Sequence, residues 1–151
     1  MLTSPNYSPT MRSVRLWFNQ IDEKDRVKRL LDWGEEQPHL YGFLINLSDD
    51  FGDLSHNGLM YLPLILSEAF RRLGMPVHPI GAEILEEVLK DAVHSGLVLE
   101  GESARMQSEL RLAWLELARE EAIDLESLPA TQMVCRILVN AFEKAVPEKL
   151  Q

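Results

Sequence analysis

Residues 57–73, NGLMYLPLILSEAFRRL, decide how the rest of the chain is read. Leu59, Met60, Leu62, Ile65, Leu66, Ala69, Phe70 and Leu73 recur at steps of three and four, the period of an α-helix, and together cover most of its circumference. A helix that is apolar on most faces is central to a core or covered on several sides, so this segment asks for several other helices around it. Pro63 falls inside the run and should kink the helix or mark its true first turn.

The stretch before it behaves the same way. In residues 38–51, PHLYGFLINLSDDF, Pro38 opens a helix at a first-turn position, where its missing N–H costs little. Leu40, Tyr41, Phe43, Leu44, Ile45, Leu47 and Phe51 then occupy nearly every face. Between the two helices, residues 48–58, SDDFGDLSHNG, read as a turn, because Asp, Gly, Ser and Asn are the residues turns demand. Tyr41-x-x-Leu44-Ile45 and Tyr61-x-x-Leu64-Ile65 resemble each other, but a solenoid needs three such units and no third copy follows.

Further out, the patterns are simpler. Asp22 and Glu23 suit a helix start, and Val27, Leu30 and Leu31 form an inward stripe before Gly34 as a C-cap, giving a helix over 22–33. Residues 81–94 place Ile84, Leu85, Val88, Leu89 and Ala92 against a face of Glu83, Glu86, Glu87, Lys90 and Asp91. Residues 96–101, GLVLEG, are too short for a helix and are expected to be extended. Two more helices follow, over 103–122 with Met106, Leu110, Ala113 and Trp114 inward, and over 128–146 with Val134, Ile137, Leu138, Ala141 and Phe142 inward.

Residues 1–13 are rich in Ser, Thr, Pro and Asn without an apolar period, which describes a loose arm. Val14-Arg15-Leu16-Trp17-Phe18 mixes β-branched and aromatic residues, so it reads as a short strand or as an apolar anchor laid against the core or a second subunit. The expected architecture is an all-α single-domain bundle of about six helices, with an irregular arm over 1–20 and the helical domain over 21–151. Leu16, Trp17 and Phe18 are the candidate interface residues.

Composition removes several functions. A chain of 151 residues can bury roughly 70% of the surface its unfolded form exposes, enough for a core without staples. Its single cysteine, Cys135, forms no internal disulfide and fits a reducing compartment. The N-terminus lacks the apolar region of a secretory signal, and the longest stretch free of Asp, Glu, Lys and Arg, Leu54 to Ser67, is 14 positions. That is short of the roughly 18 apolar residues a membrane span requires, so a cytoplasmic location is expected. Net charge is −9 but uneven: residues 1–33 carry six basic and four acidic side chains, and residues 34–151 carry 9 basic and 20 acidic. The acidic body repels polyanions, which counts against nucleic acid and against anionic membranes as partners. A basic, aromatic-tipped arm is instead expected to pack across an acidic helical surface of its own or a neighbouring subunit.

No phosphate loop, dinucleotide fingerprint, HExxH, CxxC or GxSxG occurs, so no cofactor is expected. Asp49-Asp50-Phe51-Gly52-Asp53 fails as a calcium loop, because the sixth and twelfth positions hold Leu54 and Met60. The histidines give one chemical pattern. Glu36 precedes His39, Asp53 precedes His56 and Asp91 precedes His94, each by three residues, and on a helix that spacing puts carboxylate and imidazole on one face as in di-iron bundles. Glu87, one turn before Asp91, completes a candidate metal set of Glu87, Asp91 and His94, with His39 or His56 in support. Surface histidines beside surface acids give the same pattern without any metal.

Cys135 lies beside an apolar stripe with no histidine near it in sequence, as a buried structural cysteine would. Trp17, Trp33 and Trp114 are core residues or the lining of a pocket. The function expected from this pattern is a non-enzymatic helical protein–protein interaction domain that self-associates, as a homodimer or a larger homo-oligomer. The alternatives are a small metal-dependent enzyme or metal-binding helical protein using the acid-x-x-His pairs, and a small-molecule binder with an apolar pocket between helices.

Overall fold

Met60 to Leu66 are seven consecutive buried positions, so the helix that contains them has no solvent face along two turns. The rest of the fold is the set of helices that covers it. A computed structural model describes residues 7–51, 53–95, 99–120 and 128–146. Among the described residues the chain is all helical, with α1 (Tyr7–Gln20), α2 (Glu23–Glu36), α3 (Pro38–Phe51), α4 (Asp53–Arg72), α5 (Ala82–Ser95), α6 (Gly101–Glu120) and α7 (Leu128–Lys144) in one domain. The helix α4 packs against α1, α2, α3, α6 and α7; α6 also lies on α1 and α7, and α5 packs on α7.

Aromatic contacts mark these joints. Phe18 of α1 meets Tyr61 of α4 at 5.4 Å between ring centroids, and Phe70 of α4 meets Phe142 of α7 edge-on at 5.5 Å. Trp33 of α2 meets Tyr41 of α3 at 6.3 Å. Such tilted pairs each contribute about 0.5–1.5 kcal/mol beyond the area they bury.

The expected arm is a helix. Met11, Val14 and Phe18 step by three and four, and all three are buried in the main core, while Pro9 sits in the first turn, where proline is tolerated. The segment 14–18 is therefore not a strand; it is helical, and Val14 and Phe18 lay it against the core of its own chain, one of the two expected placements, with the described part of the 1–20 arm helical from Tyr7 on. The expected packing of a basic segment on an acidic surface occurs within the chain: Arg15 Nη1 donates to Glu109 Oε2 at 2.6 Å and its Nε lies 3.0 Å from Glu116 Oε1. Asn19 Nδ2 donates to Glu116 Oε2 at 2.7 Å, and Arg12 lies 3.7 Å from Glu109.

The helix α2 is turned relative to its expected face. Asp22 caps it, accepting from Asp25 N–H at 2.9 Å, but Arg26 and Trp33 point inward while Val27 and Leu31 point out. The cause is Arg26. Its guanidinium lies 4.6 Å from the Phe18 ring centroid and donates to the Phe18 carbonyl at 3.1 Å, so the cation closes the C-terminal end of α1, where the helix dipole favours positive charge. Gly34 does not end the helix, which continues to Glu36; a Cβ at Gly34 would stand 2.9 Å from Tyr41 Cδ2, so the glycine lets α3 approach. The expected turn over 48–58 is also helical on both sides of residue 52, with α3 reaching Phe51 and α4 starting at Asp53. Pro63 lies inside α4 and is buried, its lost backbone hydrogen bond offset by packing from all sides. In the expected extended piece 96–101, residues 96–98 lie outside the described residues, and Gly101, with φ of 61°, opens α6.

Because α1 contributes to the core, Phe18→Ala should lower the unfolding free energy by about 3–5 kcal/mol in urea titration. A loss below about 0.5 kcal/mol, the range of neutral surface changes, would contradict the docking of α1.

Candidate functional site

Gln37 is the residue on which one end of the bundle is assembled. Its N–H donates to the Trp33 carbonyl at 2.8 Å, ending α2, and its carbonyl accepts from Tyr41 N–H at 2.9 Å, starting α3. Pro38, which has no N–H of its own to satisfy, makes a one-residue joint possible. Gln37 is 6% exposed and bonded at both atoms of its amide: Nε2 donates to the His78 carbonyl at 3.2 Å and Oε1 accepts from Ile80 N–H at 2.7 Å. The connector after α4 is thereby strapped across the end of α2, and His78 N–H donates to the Ala145 carbonyl at 3.0 Å, tying it to the end of α7 as well. Gly74, with φ of 71°, allows the sharp exit from α4.

This strap encloses a groove of about 380 Å³, floored by Trp33, Phe70, Met75 and Val77 and rimmed by Glu36, Gln37, Ser67 and Arg71. A second recess of about 200 Å³ shares Trp33, Glu36 and Ser67 with it and adds Trp17, Arg29, Asp32 and Glu68. Its wall is fixed by stacking: Arg29 lies 5.0 Å and Arg72 5.6 Å from the Trp17 ring centroid. Glu68 accepts from both Arg71 and Arg72, and the Arg71 hydrogen bond holds its carboxyl below the usual carboxylate range against the opposing effect of burial. Arg72 also donates to Ser13 Oγ at 3.1 Å, so Arg71 and Arg72 do more than complement the dipole of α4. The joined recesses present an apolar floor and a rim of both signs, suited to an apolar side chain with a polar edge. Trp17 and Trp33 line them, whereas Trp114 is fully buried in the core.

The metal candidates do not gather. Lys144 Nζ donates to Glu87 Oε1 at 2.6 Å, Asp91 is half-buried on α5, and His94 is exposed in its last turn. Glu36 and His39 lie on different helices, separated by the Gln37 joint, so their three-residue spacing is not a helical one. The side chains of Asp53 and His56 lie outside the described residues. Among the described residues no three His, Cys, Asp or Glu side chains are grouped to hold a metal ion.

The interface candidates separate. Leu16 is 62% exposed, Trp17 is half-buried between two arginines, and Phe18 is in the core. Sequence reasoning missed Val27 and Leu31 on α2, which are 43% and 58% exposed, because a buried arginine on the opposite face was not anticipated. Leu112 of α6, off the stripe of Met106, Leu110, Ala113 and Trp114, is 40% exposed.

Burial raises the proton affinity of Cys135 and Glu143. Burial pushes the Cys135 thiol up to about 12, partly opposed by the nearby Arg111 charge, so it is no nucleophile at neutral pH. Burial likewise raises the Glu143 carboxyl, which accepts from Ser103 Oγ at 2.9 Å, a bond that opposes the rise. No family model, no curated protein and no solved structure matches this chain.

A raised native value for Glu143 means that the folded state holds its proton more tightly than the unfolded chain does. The group therefore weakens folding progressively as pH rises from the ordinary carboxylate value through the raised one. Glu143→Gln should stabilise the protein more at neutral pH than at the lower edge of that window, read as the difference in urea midpoints. An equal difference at both pH values would contradict the burial argument.

Proposed function

We propose that the protein is a non-enzymatic helical interaction domain that associates with another protein chain, in the first place with itself. The observation that carries this reading is apolar surface left over after the core is complete. Leu16, Val27, Leu31 and Leu112 are exposed although α1 and α6 each bury an apolar stripe and α2 docks through Arg26 and Trp33, and Val27 and Leu31 lie one turn apart on one helix. Isolated exposed leucines are ordinary, but a pair on one face beside unpaired charges is the composition of a helix–helix contact.

The chemistry inside the fold supports an interaction role. Cys135 is silenced by burial, Glu143 holds Ser103, Glu87 is occupied by Lys144, and Glu68 by two arginines. Among the described residues no helix is long and apolar enough to cross a membrane, and the net charge of −9 favours protein partners over polyanions. The single buried thiol suits a reducing compartment such as the cytoplasm.

Sedimentation equilibrium of the full chain over roughly 1–100 µM should show mass rising with concentration, as expected for a reversible contact of modest area. A strict monomer throughout, with no copurifying protein, would overturn the reading.

A further inference from the structure

On α2, Lys24, Val27, Lys28, Leu31 and Glu35 stand at i, i+3, i+4, i+7 and i+11 and are all exposed, so they form a single stripe on the side away from α4. The stripe has a direction. Its N-terminal end is cationic, its middle carries Val27 and Leu31 with Lys28 between them, and its C-terminal end is anionic. Lys24, Lys28 and Glu35 have no ion-pair partner among the described residues, unlike Arg12 and Arg15 of α1, which pair with Glu109 and Glu116 of α6.

The C-terminal end of α2 is also incomplete by ordinary helix electrostatics. Its last turn holds Glu35 and Glu36 and no basic residue, so two carboxylates sit at the negative pole of the helix dipole. Cations placed there from outside would relieve both the dipole and the carboxylates.

We infer that the outer face of α2 is a homodimer interface in which α2 of a second copy lies antiparallel across a two-fold axis. Read backwards, the ends of the stripe exchange anionic for cationic, so a second copy matches it at both ends and at Val27 and Leu31, with Lys28 standing between those two. Val27 and Leu31 of one copy meet Leu31 and Val27 of the other, and Lys24 of each meets Glu35 of the other. A parallel arrangement would set like charges together, and the acidic outer face of α5, with Glu83, Glu86 and Glu87, has no such self-complementarity. Antiparallel pairing also sets the two helix dipoles in opposition and brings a lysine to each cation-free last turn. The helix is 14 residues, about 21 Å long, so the contact falls at the small end of interface sizes and the dimer is reversible. This inference rests on the self-association proposed above and assigns it a surface other than Leu16, Trp17 and Phe18.

The test is a charge exchange read by sedimentation equilibrium of the full chain, with circular dichroism confirming that each variant keeps its helix content. Lys24→Glu and Glu35→Lys should each weaken dimerisation about tenfold, because every substitution acts twice across the axis. The double variant Lys24→Glu with Glu35→Lys should recover affinity to within about threefold of the natural chain, and Leu31→Glu should be monomeric. Weakened single variants without recovery in the double would overturn the antiparallel register. A natural chain that dimerises while all four variants dimerise equally well would overturn this surface but leave self-association standing. A monomeric natural chain would overturn both.

Discussion

The fold follows from the need to cover the middle of α4, Met60 to Leu66, on all sides. With Met60 to Leu66 buried in sequence, no orientation of the helix leaves a face for solvent, and a two-layer arrangement cannot satisfy it. Five helices therefore pack against α4, drawn from both sides of it in the chain. That requirement recruits α1, whose composition is otherwise poor for a core. It also rotates α2, since Arg26 must reach the Phe18 carbonyl and stack on its ring to close the junction between α1 and α4. The rotation has a surface consequence: the apolar residues that a conventional stripe would bury, Val27 and Leu31, face outward.

Polar groups hold the ends of this assembly. Gln37 satisfies four backbone groups with one residue, two through its own main chain and two through its amide, and fixes the connector that walls the larger groove. Leaving a buried N–H or carbonyl unsatisfied costs about 1–3 kcal/mol, so such a residue determines where the chain turns as much as the hydrophobic contacts do. The α1–α6 seam has a different role. Its partly exposed ion pairs contribute modestly to stability, but they fix how α1 lies across α6 and neutralise the basic N-terminal segment against the acidic body.

The long periodic segments were legible in the sequence. The limits of α3 agree with those read from Pro38 and the apolar run, and α5 is displaced by one residue, because strong patterning and a proline at the start leave little freedom. The arm was misread because Leu16 and Trp17 interrupt the Met11, Val14, Phe18 stripe and because two prolines precede it, whereas burial against Tyr61 outweighs both signals. The tryptophan lining was legible as one of two readings, and Trp17 and Trp33 realise it while Trp114 does not. The metal pattern failed at Glu36 and His39 for a topological reason: spacing along the chain implies a shared face only within one helix, and Gln37 ends that helix between them. Gln37 itself carries no motif, since its importance comes from residues about forty positions later in the chain. The outward turn of Val27 and Leu31 was hidden for the same reason, being set by a contact between Arg26 and Phe18.

The central claim is that the wrapped stretch of α4 over Met60 to Leu66 fixes the fold and turns the outer face of α2 toward a second copy. Residue-resolved native-state hydrogen exchange at a low and a high protein concentration tests both halves together. The account predicts the slowest exchange in α4 over 60–70, protection of α1 over 11–18 well above that of an unstructured segment, and neither dependent on concentration. It also predicts that protection in α2 over 24–35 rises with concentration. Fast exchange throughout α1, or protection in α2 independent of concentration while the mass of the protein increases, would contradict it.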